Sequence, residues 1–343
     1  MSNGNKTDDF GKNVVLLRGW DFKPSDYQEA WKNGRLLTAQ IETSNLCDLA
    51  CEYCFREELG AKSKKRLPGE ISVEDTKQAI DDLIDLGSKT INIIGAGEPT
   101  VDLAFPELLD YIAEKQVIPV VFTHGGRLTE SLIDKLQETN SSVIIKVNSF
   151  NPAVQDQLVN RYGYTEKRNR GLRLLIEAGF NQPTEDHQIR LGIDSVVCQD
   201  NKTEILDIHK YCRNNNIMPL IKTFIPAGRT KDRTDIEISM REFLELSKQV
   251  RDIDRKEYGI QYQRLIPYLG GVPCTQCGKA SMYVTILGDI FECPGQQSSY
   301  GNIGGISVRE AFQKIRDEQE NYNFGCPPRI SYWKRTNQIK RQP

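Results

Sequence analysis

AQIETSNLCDLACEYCF, residues 39–55, runs from a short strand, Ala39–Thr43, into a loop that holds Cys47, Cys51 and Cys54. The spacing is C-x3-C-x2-C. Three thiolates packed this closely can wrap one iron–sulfur cubane, leaving one iron without a protein ligand. A structural zinc normally closes with four ligands, and this loop supplies three. The histidines, His124, His187 and His209, are scattered rather than near in sequence. Spacing therefore favours a cluster over zinc or inert thiols.

Outward from this loop, Leu37 to about Pro226 alternates β-branched runs with stretches of helical period, the signature of successive βα units around a parallel sheet. Further strands are expected near Thr90–Ile94, Pro119–Thr123, Val143–Val147, Ile189–Val197 and Met218–Phe224. Helices fit the intervals: Val73–Leu86, Phe105–Ile112, Leu128–Leu136, Arg168–Ala178 and Glu204–Asn214. Ser72 is the expected N-cap of the first and Gly87 its stop. Right-handed crossovers curl such a sheet. Six units are too few for a full barrel, so the fold class is α/β, a partial (β/α)6 TIM-like barrel with an open side.

The pattern breaks at Pro226-Ala227-Gly228. A helix over Met240–Asp254 follows, and beyond Gly270 cysteines, glycines and short strand-like runs suggest a small α+β module. The expected division is residues 1–36 as an N-terminal extension, 37–227 as the barrel, 228–270 as a connecting helical segment and 271–343 as the module with its tail.

Charge names no partner: 45 basic against 47 acidic residues create no field to attract nucleic acid or an anionic membrane. The polar start, MSNGNKTDDF, is no signal peptide, and no apolar run approaches a membrane span of roughly 20 residues. A cytoplasmic protein is expected. Nine cysteines are many for a reducing compartment, and an odd number cannot pair completely, which points to metal or redox chemistry.

One βα unit after the cysteine loop, the second strand ends in INIIGAGEPT, residues 91–100. Its glycines let backbone approach a ligand, and Glu98 can accept charge-assisted hydrogen bonds from an ammonium group. With Tyr53 before the last cysteine, the C-x3-C-x2-C loop resembles the defining loop of the radical S-adenosylmethionine (SAM) superfamily. Gly95, Ala96, Gly97, Glu98 and Pro99 resemble that family's GGEP motif, with Ala96 in place of a glycine. The resemblance implies a 4Fe-4S cluster on Cys47, Cys51 and Cys54, whose open iron is chelated by the amino and carboxylate groups of SAM. An injected electron then yields a 5′-deoxyadenosyl radical that abstracts hydrogen from substrate. It also implies a cofactor contact from Lys146 or Asn148, in VIIKVNSFN at the end of the fourth strand; a solvated strand end is the plain alternative.

The C-terminal part holds Cys274, Cys277, Cys293 and Cys326. A β-hairpin, Met282–Leu287 and Ile290–Phe291 around Gly288-Asp289, brings Cys293 back towards the CxxC pair. Spacing alone leaves zinc and a second cluster open. GDIFECPG, GNIGGISVREAF and the late Cys326 resemble the SPASM and twitch auxiliary-cluster domains, which implies a second 4Fe-4S cluster; four cysteines match the single-cluster twitch type. Cys212 reads as a packed helix thiol and Cys198 as a packed core thiol, whose place near the end of the fifth strand also makes it a candidate hydrogen-atom donor.

The expected function is hydrogen abstraction from a small molecule or peptide, with the second cluster moving electrons and a flavodoxin- or ferredoxin-like protein as electron donor. Maturation of a ribosomal peptide by cross-linking or epimerisation is a second reading. A zinc-stabilised, non-enzymatic binding protein is the third.

Overall fold

The computed structural model describes residues 15–56, 63–225, 228–262, 268–271, 274, 279–296 and 298–318. The barrel strands are preceded by β1 (Leu16–Leu17) and α1 (Pro24–Lys32). Then follow β2 (Thr38–Glu42), α2 (Val73–Asp85), β3 (Thr90–Ile94), α3 (Phe105–Glu114), β4 (Ile118–Thr123), α4 (Glu130–Glu138) and β5 (Ser142–Lys146). Two helices come next, α5 (Pro152–Leu158) and α6 (Tyr164–Glu177), before β6 (Gln188–Ile189), β7 (Leu191–Val197), α7 (Ile205–Asn214) and β8 (Met218–Thr223). The C-terminal elements are α8 (Met240–Ile253), β9 (Tyr268–Leu269), β10 (Ser281–Val284), β11 (Asp289–Phe291), β12 (Gly301–Asn302) and α9 (Val308–Asp317).

The six expected barrel strands are adjacent and parallel in chain order, β2-β3-β4-β5-β7-β8. Alternate residues point to opposite faces. Ile41, Ile91, Ile93, Val121, Val143, Ile145, Ile193 and Ile221 join the apolar layer that also holds the helix residues Ile80, Leu83, Leu109 and Ile208. The opposite parity faces the barrel interior. Local signals set the helix ends: Ser72 caps α2 by accepting from the Asp75 amide, and Gly87 follows its last turn at φ +109°. Helix α5 had its own signal, Asn151 as N-cap with Pro152 at the first position.

The expected fifth strand, Ile189–Val197, is divided. Ile189 pairs with Leu17 of β1, while the Arg190 amide bonds to the Phe180 carbonyl and Leu191 begins the barrel strand. Residues 15–20 thus pack on the barrel strands. Thr90 and Ser142 hydroxyls donate to the Gly19 and Arg18 carbonyls, and the Trp20 indole packs among Val120, Ile144 and Leu220. Trp20 Nε1 donates to Asn92 Oδ1 at 2.7 Å.

The C-terminal strands also join this sheet. β10 lies parallel to β2 in the register Ser281↔Thr38 to Val284↔Ile41, and β9 lies antiparallel to β8. The expected hairpin is present, with Tyr283 opposite Phe291, but its first strand widens the barrel sheet instead of starting a separate one. Among the described residues, no helix is long and apolar enough to cross a membrane.

Behind β8, a π-type turn at Asp254–Tyr258 buries the Asp254 carboxylate, which accepts from His209 Nε2 at 2.7 Å, Arg213 Nε at 2.9 Å and the Tyr262 hydroxyl at 2.8 Å. Burial lowers the His209 pKa; the Asp254 hydrogen bond works the other way, and Arg213 adds to the lowering. The folded chain thus binds a second imidazole proton less readily than the unfolded one. Stability from this source is complete above the ordinary histidine value of about 6.5 and falls as pH drops below it. Denaturant titrations from pH 7.5 down to about 5 are expected to show falling midpoints, with a shallower slope in His209→Gln.

Candidate active site

Cys47, Cys51 and Cys54 all line one cavity of about 240 Å³ at the carboxyl end of the barrel strands. Their loop is fixed by backbone contacts. The Gly97 amide donates to the Ser44 carbonyl at 2.8 Å and the Glu98 amide to the Leu46 carbonyl at 2.7 Å. A Cβ on Gly97 would stand 2.0 Å from the Leu46 carbonyl oxygen, and one on Gly95 would stand 1.6 Å from the Gly97 oxygen. The glycines are required for close approach.

Asp48, between the first two cysteines, clamps the loop from the other side. Its carboxylate accepts from His124 Nε2 at 2.8 Å, Arg127 Nε at 2.9 Å and Arg161 Nη1 at 2.6 Å. Burial opposes its ionisation, yet His124 and Arg161 hold it well below the usual carboxylate range. His124 Nδ1 accepts from the Gly126 amide at 2.9 Å, so a neutral imidazole carries its proton on Nε2, towards Asp48. Leu49 packs on Val159 and Tyr164, and the amides of Ala50 and Glu52 bond to the carbonyls of Val159 and Leu158.

Beyond the last cysteine, Arg56 forms a forked pair with the buried Glu42 at 2.8 and 3.0 Å. Glu42 also accepts from the Tyr283 hydroxyl at 2.5 Å and the Ile286 amide at 3.0 Å, so the pair ties the cysteine loop to β10. Arg229 covers the loop, donating to the Cys51 carbonyl at 3.2 Å.

Glu98 lies in the cavity wall with four donors on its carboxylate: the Thr100 amide and hydroxyl at 3.2 and 2.6 Å, the Thr123 hydroxyl at 2.5 Å and the His124 amide at 2.7 Å. Three of these donors share Oε1 and the His124 amide alone reaches Oε2, which keeps an acceptor position open to an ammonium group.

The opposite wall belongs to β5, β7 and β8. Lys146 Nζ bonds to Asp194 Oδ2, and Lys222 Nζ stands 3.2 Å from Asp194 Oδ1. Lys146 lies 5.6 Å from the Tyr53 ring centre, and Lys222 lies 5.8 Å from Phe122 and 5.7 Å from Tyr268.

The Radical SAM superfamily model matches residues 41–188. Mycofactocin maturase MftC of Mycobacterium tuberculosis is 26% identical over 287 residues, 80% of this chain and 68% of that protein. A probable GTP 3′,8-cyclase of Methanococcus maripaludis is 22% identical over 82% of this chain and 94% of its own. Streptococcus suis SuiB, solved with S-adenosylmethionine, superposes with a TM-score of 0.64 at 15% identity, covering 90% of this chain and 77% of that one. Over residues 41–188 the chain is similar to the radical SAM superfamily. That is an enzyme family whose cofactors are SAM and a 4Fe-4S cluster.

The residues fit a radical SAM cluster. Burial pushes the Cys51 thiol up to about 12 and raises Cys47 as well, so thiolates form there only with a compensating cation, and metal binding releases their protons. Among the described residues, no three His, Cys, Asp or Glu side chains converge on a single-ion position. In a cubane each of three thiolates takes its own iron corner. Arg229 Nε is buried without a hydrogen-bond partner at the cavity wall, a donor that a polar ligand would satisfy.

Other sequence candidates stand differently. Tyr53, Gly95, Ala96, Gly97 and Glu98 line the cavity; Pro99 is buried as the first residue of a short 3-10 turn capped by Glu98. Lys146 lines it too, but its ammonium is engaged with Asp194. Asn148 is outside the cavity lining and joins β5 to β7, its Oδ1 accepting from the Val196 amide at 2.8 Å. Cys198 is fully buried, in a cluster that includes the cavity-lining Tyr53 and Val196, and is not itself a lining residue. Cys212 is packed as expected. Cys274 is buried with Trp20 and Tyr268, Cys293 is partly exposed, and Cys277 and Cys326 lie outside the described residues. Sequence reasoning missed Asp48, Asp194, Lys222 and Arg229; the change from apolar to charged residues along β7 and β8 was the available signal.

Gly97→Ala is expected to part the two loops and to lower iron retained after anaerobic reconstitution several-fold, with α-helical content unchanged by circular dichroism. Cys198→Ala is expected to keep wild-type SAM cleavage, measured as 5′-deoxyadenosine, because Cys198 is not a lining residue of the cavity.

Proposed function

We propose that this chain is a peptide-modifying radical SAM enzyme. The observation that carries the reading is one cavity bounded on one side by Cys47, Cys51, Cys54 and the Gly95–Glu98 turn, and on the other by Asp194, Lys146 and Lys222. Cys47, Cys51 and Cys54 hold the cluster, and the Gly95-Ala96-Gly97-Glu98 turn receives the methionine end of SAM. When bound there, these groups supply hydrogen-atom abstraction. Asp48 keeps the cysteine loop in register, Arg229 closes over it, and Trp20, Phe122 and Tyr268 exclude water from the inner end.

A peptide is favoured as substrate because MftC is named a maturase and SuiB has also been solved bound to its precursor peptide SuiA. The cyclase relative keeps a small molecule as the second reading. Cys274, Cys277, Cys293 and Cys326 are assigned to an auxiliary 4Fe-4S cluster that moves electrons, and a flavodoxin- or ferredoxin-like protein is the proposed reductant. Buried free thiols suit a reducing compartment, the cytoplasm.

Anaerobic reconstitution is expected to give a brown protein with roughly eight irons per chain, and roughly four when Cys47, Cys51 and Cys54 are all changed to alanine. Reduced wild-type enzyme with SAM and pooled synthetic peptides is expected to form 5′-deoxyadenosine and a mass-altered peptide. A colourless zinc protein, or no 5′-deoxyadenosine, would overturn the reading.

A further inference from the structure

The inner end of the cavity carries two ammonium groups against one carboxylate. Lys146 and Lys222 both face Asp194, and all three line the same space as the cysteines. The register places them together: Lys146 stands opposite Asp194 between β5 and β7, and Val196, next on the same face, stands opposite Lys222 of β8. Asp194 is 3% exposed, so its charge is screened little by water.

The two lysines are not equivalent. Lys146 bonds to Asp194 Oδ2. Lys222 is at ion-pair distance from Oδ1, 3.2 Å, in a contact that falls short of a well-aligned hydrogen bond. Its ammonium sits between the Phe122 and Tyr268 rings, facing the cavity. Burial lowers the Lys222 pKa, Asp194 and the nearby Cys274 thiol raise it, and Lys146 lowers it further. Of the other ionic groups of the cavity, Glu98 accepts from Thr100, Thr123 and the His124 amide, His124 is paired with Asp48, and Arg229, bonded to the Cys51 carbonyl, keeps its unpaired Nε on the cysteine side. A single added carboxylate would complete an alternating set of two positive and two negative groups, the arrangement in which buried charges are tolerated.

We propose that Lys222, supported by Asp194 and Lys146, is a carboxylate subsite that seats an acidic side chain of the substrate opposite the cysteine loop. This rests on the peptide reading above and names the residue class that enters. The aromatic walls, Trp20, Phe122 and Tyr268, accommodate the methylene stem while Lys222 takes the acid.

Calorimetric titration of the reconstituted, SAM-loaded full chain with N-acetyl-L-glutamate N-methylamide and with its glutamine isostere tests this. The acid is expected to bind about tenfold tighter or better, because a site built for one polar group rejects the analogue that leaves it unpaired. The preference is expected to vanish in both Lys222→Met and Lys222→Gln with SAM affinity unchanged, which shows that the variants fold. Equal binding of the two isosteres, binding of neither, or a preference that survives both variants would overturn the subsite. Loss of SAM affinity in parallel would also overturn it, by assigning Lys222 to the cofactor's own carboxylate. If the acid preference and its Lys222 dependence hold while no peptide is altered, the subsite stands and the peptide reading alone falls.

Discussion

The site depends on two stretches of backbone that touch without side chains between them. Where the turn after β3 meets the cysteine loop, the Gly97 amide lies on the Ser44 carbonyl and the space a Cβ would need is filled by the Leu46 oxygen. This contact sets how far the thiols stand from Glu98, and Asp48 pins the same loop to the segments after β4 and α5 through His124, Arg127 and Arg161. A loop fastened on both flanks loses little freedom when it takes up a ligand, which is the advantage of preorganisation.

The barrel interior is divided along its axis. At the amino ends of the strands, Trp20, Val120, Ile144 and Leu220 pack as an apolar plug. At the carboxyl ends, Glu42, Glu98, Lys146, Asp194 and Lys222 place five ionic groups in or near one cavity. Such groups contribute little net stability, since desolvation offsets their attraction, but removing one partner leaves an uncompensated buried charge at a cost of about 3–5 kcal/mol. Glu42 and Arg56 fit that description: their pairing holds the end of the cysteine loop and the C-terminal strand at one point.

What was legible in the sequence was what short spacings encode. The βα alternation placed all six barrel strands to within about two residues, and Ser72 and Gly87 marked a helix because caps act on their own neighbours. The three cysteines and the glycine turn stood out for the same reason. Trp20 did not, because its role as plug comes from pairing of Arg18 and Gly19 with strands more than 70 residues away. Lys146 read as a generic polar strand end until the register set Asp194 beside it. The change in composition after Gly270 suggested an independent module, whereas the β10 to β2 register joins residues about 240 apart. Composition carries no trace of such pairing.

That same register bears on how the chain is made. β2 is among the first barrel strands to leave the ribosome, and the strand that covers its outer edge, β10, is more than two hundred residues behind it. Throughout that interval the edge beside the cysteine loop presents bare amides and carbonyls, an invitation to pair with a neighbouring nascent chain. The edge of β2 is closed only once the late-arriving β10 has been made.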